Sequence, residues 1–185
     1  TNTSILPVNW TNTARLRGCA YVVATMRHDN DVLTSELTFR FEYEGANLYD
    51  RRKDTTAGGS GSHRLTDPTT WEYSDNPAVA LDHYRLGMIG GSNDDQMIFG
   101  MGQAEWQNPY DEFEANADLC DEQVYGLSRY AFNGRISSAD DHSDVINRFA
   151  TAMAAKAYYS GGRLYVRPKQ TRPIKVTLYD TDLVR

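Results

Sequence analysis

Residues 71–87 read WEYSDNPAVALDHYRLG, and this stretch decides the class of fold open to the chain. Asp75 or Asn76 can cap a helix by accepting a hydrogen bond from an N–H that has no partner in the first turn. Pro77 suits the first helical position, where its missing N–H costs nothing. Ala78, Leu81, Tyr84 and then Arg85 or Leu86 recur at helical spacing up to Gly87, a natural stop. A helix is therefore expected from Pro77.

Upstream the period is two. Residues 15–27 (RLRGCAYVVATMR) are β-branched and aromatic, as a strand requires. In residues 33–43, Leu33, Ser35, Leu37, Phe39, Phe41 and Tyr43 alternate with Thr34, Glu36, Thr38, Arg40 and Glu42. That alternation predicts a half-buried antiparallel strand, with a turn at residues 28–31 before it. Residues 48–50 suit a short strand or edge. The stretch 51–64 (RRKDTTAGGSGSHR) carries little apolar surface, which predicts a mobile loop and an internal boundary.

Downstream, Gly90-Gly91 breaks the chain and residues 97–99 (MIF) form a short apolar segment. Asn108-Pro109 opens a second helix with Phe113, Ala117, Leu119 or Cys120 and Val124 on its inner side. Residues 129–136 (RYAFNGRI) suggest a strand bracketing an Asn133-Gly134 turn or bulge. Val145, Ile146, Phe149, Met153 and Ala157 predict a helix over 143–159, stopped by Gly161-Gly162. Strands are expected over 163–167 and 173–179. The fold class is α+β: an antiparallel, β-rich part over residues 1–65, then a strand–helix–strand–strand part over 66–185.

The chain has 185 residues, with 25 acids and 19 bases for a net charge of -6. That sign is wrong for a dedicated nucleic-acid binder. Charge is uneven: residues 1–70 balance, residues 71–140 carry -10, and residues 141–185 carry +4. Acidic middle and basic end could mate between neighbouring subunits, or the acids could sit on solvated helix faces. Mean hydropathy is -0.61 and no long apolar run occurs, so no membrane-spanning helix is expected. The chain opens at Thr1 without a basic-then-apolar leader, so no signal peptide is expected, and a start without Met leaves open that the chain is a segment of a longer one. Cys19 and Cys120, the only cysteines, are expected as reduced core thiols.

Candidate chemistry is sparse. The acid pairs Asp94-Asp95, Asp111-Glu112, Asp121-Glu122 and Asp140-Asp141 could supply glycosidase carboxylates, but adjacent residues on a helix point apart. Residues 138–144 (SADDHSD) concentrate oxygen donors around His142 and resemble a loose cation site, while a helix cap explains the same letters. His28, His63, His83 and His142 lack zinc-hydrolase spacing. The Gly58–Ser62 run lacks the lysine of a phosphate loop. Asn2-Thr3-Ser4 and Asn9-Trp10-Thr11 are chance glycosylation matches in this setting. Twelve tyrosines and three tryptophans suit either a core or an interface, and both readings stay open. No catalytic, cofactor-binding or metal-ligating residue is expected.

Taken in order, several motifs resemble one family. They are Trp71 with Ser74-Asp75-Asn76-Pro77-Ala78, then Cys120-Asp121-Glu122, then Arg129-Tyr130-Ala131-Phe132-Asn133-Gly134. The 145–159 stretch and Gly161-Gly162-Arg163-Leu164-Tyr165-Val166 follow, and Arg17-Gly18-Cys19-Ala20-Tyr21-Val22 and Ala46-Asn47-Leu48-Tyr49-Asp50 precede them. The order is similar to that in the central tail-hub, or tip attachment, proteins of long-tailed bacteriophages, the family of the lambda host-specificity protein J. Residues 87–91 depart from the family's pattern. The resemblance implies a hub-like fold, an internal fragment of a longer chain, a trimer at the virion tail tip, and assembly in the bacterial cytoplasm. It implies tail-tube and baseplate proteins as partners, DNA only as passing cargo in the lumen, no membrane insertion, no cofactor and no enzymatic activity. The acids of 71–140 would then line a wall that does not retain DNA. The alternatives are a carbohydrate- or receptor-binding module and a wall-degrading enzyme.

Overall fold

The computed structural model describes residues 22, 38–42, 44–89 and 97–169. Contacts divide the chain into two units, Thr1–Glu42 and Tyr43–Arg185. The stretch 51–64, where a boundary was expected, lies within the second unit. In the first unit, residues 38–42 form no strand and are exposed. Phe39 and Phe41 do share a side, their rings stacked at 6.1 Å and 11°. The other residues of the strands expected at 15–27 and 33–43 lie outside the described residues, Val22 apart. So do the turn at 28–31, Cys19, the break at Gly90-Gly91, Asp94-Asp95 and the strand expected at 173–179.

The second unit mixes helices with small antiparallel ribbons. Among the described residues the helices are Pro77–Leu86 (α1), Tyr110–Asp121 (α2) and His142–Ala152 (α3). Four two-stranded ribbons accompany them. Asn47–Leu48 (β1) pairs with Glu72–Tyr73 (β2), and Met88–Ile89 (β3) with Met97–Phe99 (β4). Gln123–Val124 (β5) pairs with Leu127–Ser128 (β6), and Ala155–Ser160 (β7) with Arg163–Pro168 (β8).

α1 forms as its sequence dictates. The Asn76 carboxamide oxygen accepts from the N–H groups of Ala78 (3.0 Å) and Val79 (3.3 Å). The same side chain donates to the Ala117 carbonyl (2.9 Å) and the Asp121 carboxylate (2.8 Å), so the cap of α1 also fastens α2. Ala78, Leu81 and Tyr84 pack with Phe113, Ala117 and Cys120 of α2 and Val145, Phe149 and Ala150 of α3. Met153, Leu164 and Val166 close the core. Burying a side chain the size of Leu81 or Phe149 contributes about 1.5–3 kcal/mol.

Three local expectations are corrected. The helix expected to run to 159 ends at Ala152, and Ala154 (φ 49°) turns the chain into β7. Gly161 and Gly162, both at positive φ, form a two-residue hairpin turn and not a helix stop. Residues 129–136 form no strand: the Phe132 N–H donates to the Asp75 carbonyl (2.7 Å) and its ring packs on Phe149, centroids 4.5 Å apart. The nearby hairpin turns instead at Tyr125-Gly126, which removes Val124 from the helix.

The largest correction concerns 51–64. Arg51–Lys53 and Thr55–Ala57 are 3₁₀ turns capped by Asp50 and Asp54. The Asp54 carboxylate accepts from the Thr56 N–H (2.8 Å), the Thr56 hydroxyl (2.6 Å), the Tyr49 hydroxyl (2.8 Å) and Arg64 (3.1 Å). The Thr56 hydroxyl and Tyr49, with Arg64 assisting, hold this carboxyl down to about 2 against the cost of burial. The glycines allow backbone to approach backbone. A Cβ on Gly59 would lie 2.3 Å from the Arg52 carbonyl oxygen, and one on Gly61 2.6 Å from that of Lys53.

Replacing Gly59 with Ala is therefore expected to cost about 2–3 kcal/mol. Urea unfolding measures it, and an unchanged midpoint would show that the stretch is loose after all.

Candidate functional site

Between α1, α3 and the 129–136 segment lies an open concavity of about 530 Å³. Leu48, Tyr73, Met88, Phe99, Phe132 and Phe149 give it apolar walls, and Ser74, His83, Asn133 and Arg135 are among its polar members. Gly45 lets Tyr73 approach closely, since a Cβ there would lie 3.2 Å from the ring. Tyr84, also on its wall, shares a 2.7 Å hydrogen bond with His142 Nδ1.

Two histidines hold the chain where it enters this region. His83 Nδ1 accepts from the Tyr49 N–H (3.4 Å), and His63 Nδ1 accepts from the next N–H, that of Asp50 (3.1 Å). An imidazole that accepts at Nδ1 must carry its proton on Nε2 and be neutral. His83 comes from α1, and His63 from the end of the Gly/Ser-rich stretch. Trp71 lies edge-on to His83, centroids 5.0 Å apart, and donates its indole N–H to the Arg64 carbonyl (2.8 Å). Burial pushes the His83 pKa down, against a weaker upward pull from Asp82. Asp82 is engaged elsewhere: it accepts from Arg85 (2.6 Å) and Asn108 (2.7 Å), with Arg85 fully buried.

Most of the described acids of 71–140 find partners within the chain. Arg52 bonds Asp50 (2.7 Å), Asp118 (2.8 Å) and Asp121 (2.8 Å), and Arg51 pairs with Glu114 (3.2 Å) while lying over the Tyr110 ring. Glu122 pairs with Arg129, Glu112 with Arg167, Glu72 with Lys53 and Asp140 with Arg148. Charge complementarity between segments is thus realised inside one molecule. Of the expected acid pairs, one member each of Asp111-Glu112 and Asp140-Asp141, and both of Asp121-Glu122, are tied to arginines. In the 138–144 cluster, Asp140 also accepts from the Ser137 N–H (2.9 Å), so the loop closes on itself and on Arg148.

Among the described residues, no three His, Cys, Asp or Glu side chains converge as metal ligands. Cys120 is a buried free thiol whose pKa is raised to about 11 by that burial, leaving it protonated and inert. Sequence reasoning missed the histidine grip, because His63 and His83 lie twenty residues apart and meet only through residues 49–50. A signal for the ordered stretch was present in Asp54-Thr55-Thr56 and Asp67-Pro68-Thr69. In both, the Asp accepts from the N–H and hydroxyl of the Thr two residues on.

No family model, curated protein or solved structure matches the chain.

His83 makes stability depend on pH. The unfolded chain takes up a proton at His83 near its ordinary value, while the folded chain does so only at lower pH. Stability is therefore full above about 6.5 and declines as pH falls toward the lowered value. Replacing His83 with Phe is expected to flatten that slope in thermal melts between neutral and mildly acidic pH. It would also cost about 1–2 kcal/mol at neutral pH by orphaning the Tyr49 N–H. A slope equal to the parent's would exclude His83 as its source.

Proposed function

We propose that this chain is a structural part of a bacteriophage or prophage tail tip. In this reading it joins the tail tube to host-recognition parts, assembles as a trimer in the full-length protein, and has no reacting centre. The order of motifs from Trp71 to Val166 motivates the reading. The observation that carries it is the outward display of apolar residues on short hairpins. At the β5–β6 turn, Tyr125 is fully exposed, with a relative accessibility of 102%, and Leu127 is 74% exposed. Tyr125 also holds φ at 53°, a conformation that costs a non-glycine residue energy, so the turn presents its ring at the expense of backbone strain. Large apolar residues kept in water suit a surface that another subunit covers.

The acid-lined lumen loses much of its motive, because most described acids of 71–140 are paired internally. No helix among the described residues is long and apolar enough to cross a membrane. A carbohydrate- or receptor-binding module is the second reading, favoured by Trp106, which is 65% exposed.

Sedimentation of the chain with a purified long-tailed-phage tube protein is expected to show a complex. Replacing Tyr125 and Leu127 together with Ser should weaken it at least tenfold, and melting curves should remain close to the parent's. A glycan-array signal lost on Trp106→Ala would support the second reading, and release of peptidoglycan fragments would overturn both.

A further inference from the structure

The hairpin β7–β8 has two faces of opposite character. Its inward face carries Leu164, Val166 and Pro168, all buried, with Asn116 of α2 donating to the Val166 carbonyl (2.5 Å). Side chains alternate along a strand, so the other face is fixed by the register: Lys156 opposite Arg167, Tyr158 opposite Tyr165, and Ser160 opposite Arg163. Lys169 continues the same face one step on, its N–H donating to the Ala154 carbonyl (3.1 Å). Residues 154–169 contain no Asp or Glu. The outer face therefore gathers four cations around a tyrosine pair, in a chain whose net charge is -6.

The pair is ordered. The Tyr158 and Tyr165 rings lie parallel at 5.5 Å and 13°, and the Arg167 guanidinium caps Tyr158 at 5.4 Å. Trp106, largely exposed, borders the turn of the same hairpin: a Cβ on Gly162 would lie 4.0 Å from its ring, and Gln107 donates to the Gly162 carbonyl (3.3 Å). The acid engaging these cations is Glu112 of α2, which takes Arg167 at 3.4 Å. Lys156, Arg163 and Lys169 are exposed and enter none of the ion pairs found among the described residues.

We propose that this face binds single-stranded nucleic acid, its phosphates on Lys156, Arg163 and Lys169 and its bases stacked on Tyr158, Tyr165 and Trp106. Along β8 this face runs Arg163, Tyr165, Arg167 and Lys169, with Lys156 beside Arg167 on β7, so cations flank the tyrosine pair at both ends, where the backbone of an extended polyanion crossing the rings can reach them. Aromatic faces set among cations give single strands a sequence-tolerant platform, each stacked base adding to what the charges supply. An acidic polypeptide would use the cations and leave the rings idle. The whole-chain charge opposes the contact little locally, because four of the five α2 acids, Glu112, Glu114, Asp118 and Asp121, are occupied by Arg167, Arg51 and Arg52. The proposal does not rest on the tail-tip reading.

The test is fluorescence anisotropy of the 185-residue chain with a labelled oligothymidylate. With three phosphates neutralised, affinity is expected to fall about 20-fold between about 50 and about 200 mM salt. Replacing Lys156 and Arg163 together with Glu should weaken binding at least tenfold. Tyr158→Ala, with every cation kept, should weaken it about fivefold or more. Arg129→Gln, which removes a cation far from the hairpin in sequence, should leave it unchanged. Melting curves identify any variant that fails to fold, and Trp106→Ala, at an exposed site, then tests stacking in its place. No binding at low salt overturns the proposal. So does equal binding by the Lys156/Arg163 variant, or polyglutamate binding as tightly as the oligonucleotide.

Discussion

The guanidinium of Arg52 is the junction through which the second unit holds together. It bonds Asp50 before its own turn and Asp118 and Asp121 on α2, and Asp121 in turn accepts from Asn76, the cap of α1. One cation thus links a loop, a helix start and a helix end. Burial alone would disfavour its charge, but hydrogen bonds to the three carboxylates outweigh that and raise its pKa further. A planar donor fork can serve several carboxylates at once, which a lysine at this position could not do. Without that fork, the acids of α2 would repel one another and the 51–64 stretch would lose its anchor.

This arrangement explains why polar contacts dominate outside the core. The ribbons β1–β2, β3–β4 and β5–β6 are two or three residues per strand and bury little apolar surface themselves. Their neighbours are held by side chains that bridge to backbone: Asp54 and Asp67 to nearby N–H groups, Trp71 to Arg64, and the two histidines to residues 49 and 50. The apolar core proper is the three-helix cluster with Met153 and β8.

The parts of the fold legible in the sequence were those governed by local rules. The Asn76-Pro77 start and Gly87 end of α1, the Pro109 start of α2 and the strand at 163–167 follow from capping, ring geometry and alternation. The parts that were not legible depend on partners distant in sequence. The helical spacing of Met153 and Ala157 was genuine as a pattern, yet Tyr158 and Tyr159 gain more from cross-strand pairing with Tyr165 and Leu164 than from a further helical turn. Gly59 and Gly61 look flexible in isolation and become obligatory only once Arg52 and Lys53 lie against them. Of the site, the residues were visible but their meeting was not: Lys156 and Arg167 share a face only because Gly161-Gly162 makes a hairpin.

A unit built from separate ribbons has an uneven kinetic signature. No described strand is flanked on both sides, so each ribbon has amides that lean on solvent or on a single partner. Deuterium uptake should consequently run against the usual order for mixed folds. The slowest amides would belong to α1 and the buried half of α3, and the ribbons would open through local fluctuations that leave the helices intact. Such a molecule can remodel its rim to suit a neighbour while its centre stays fixed.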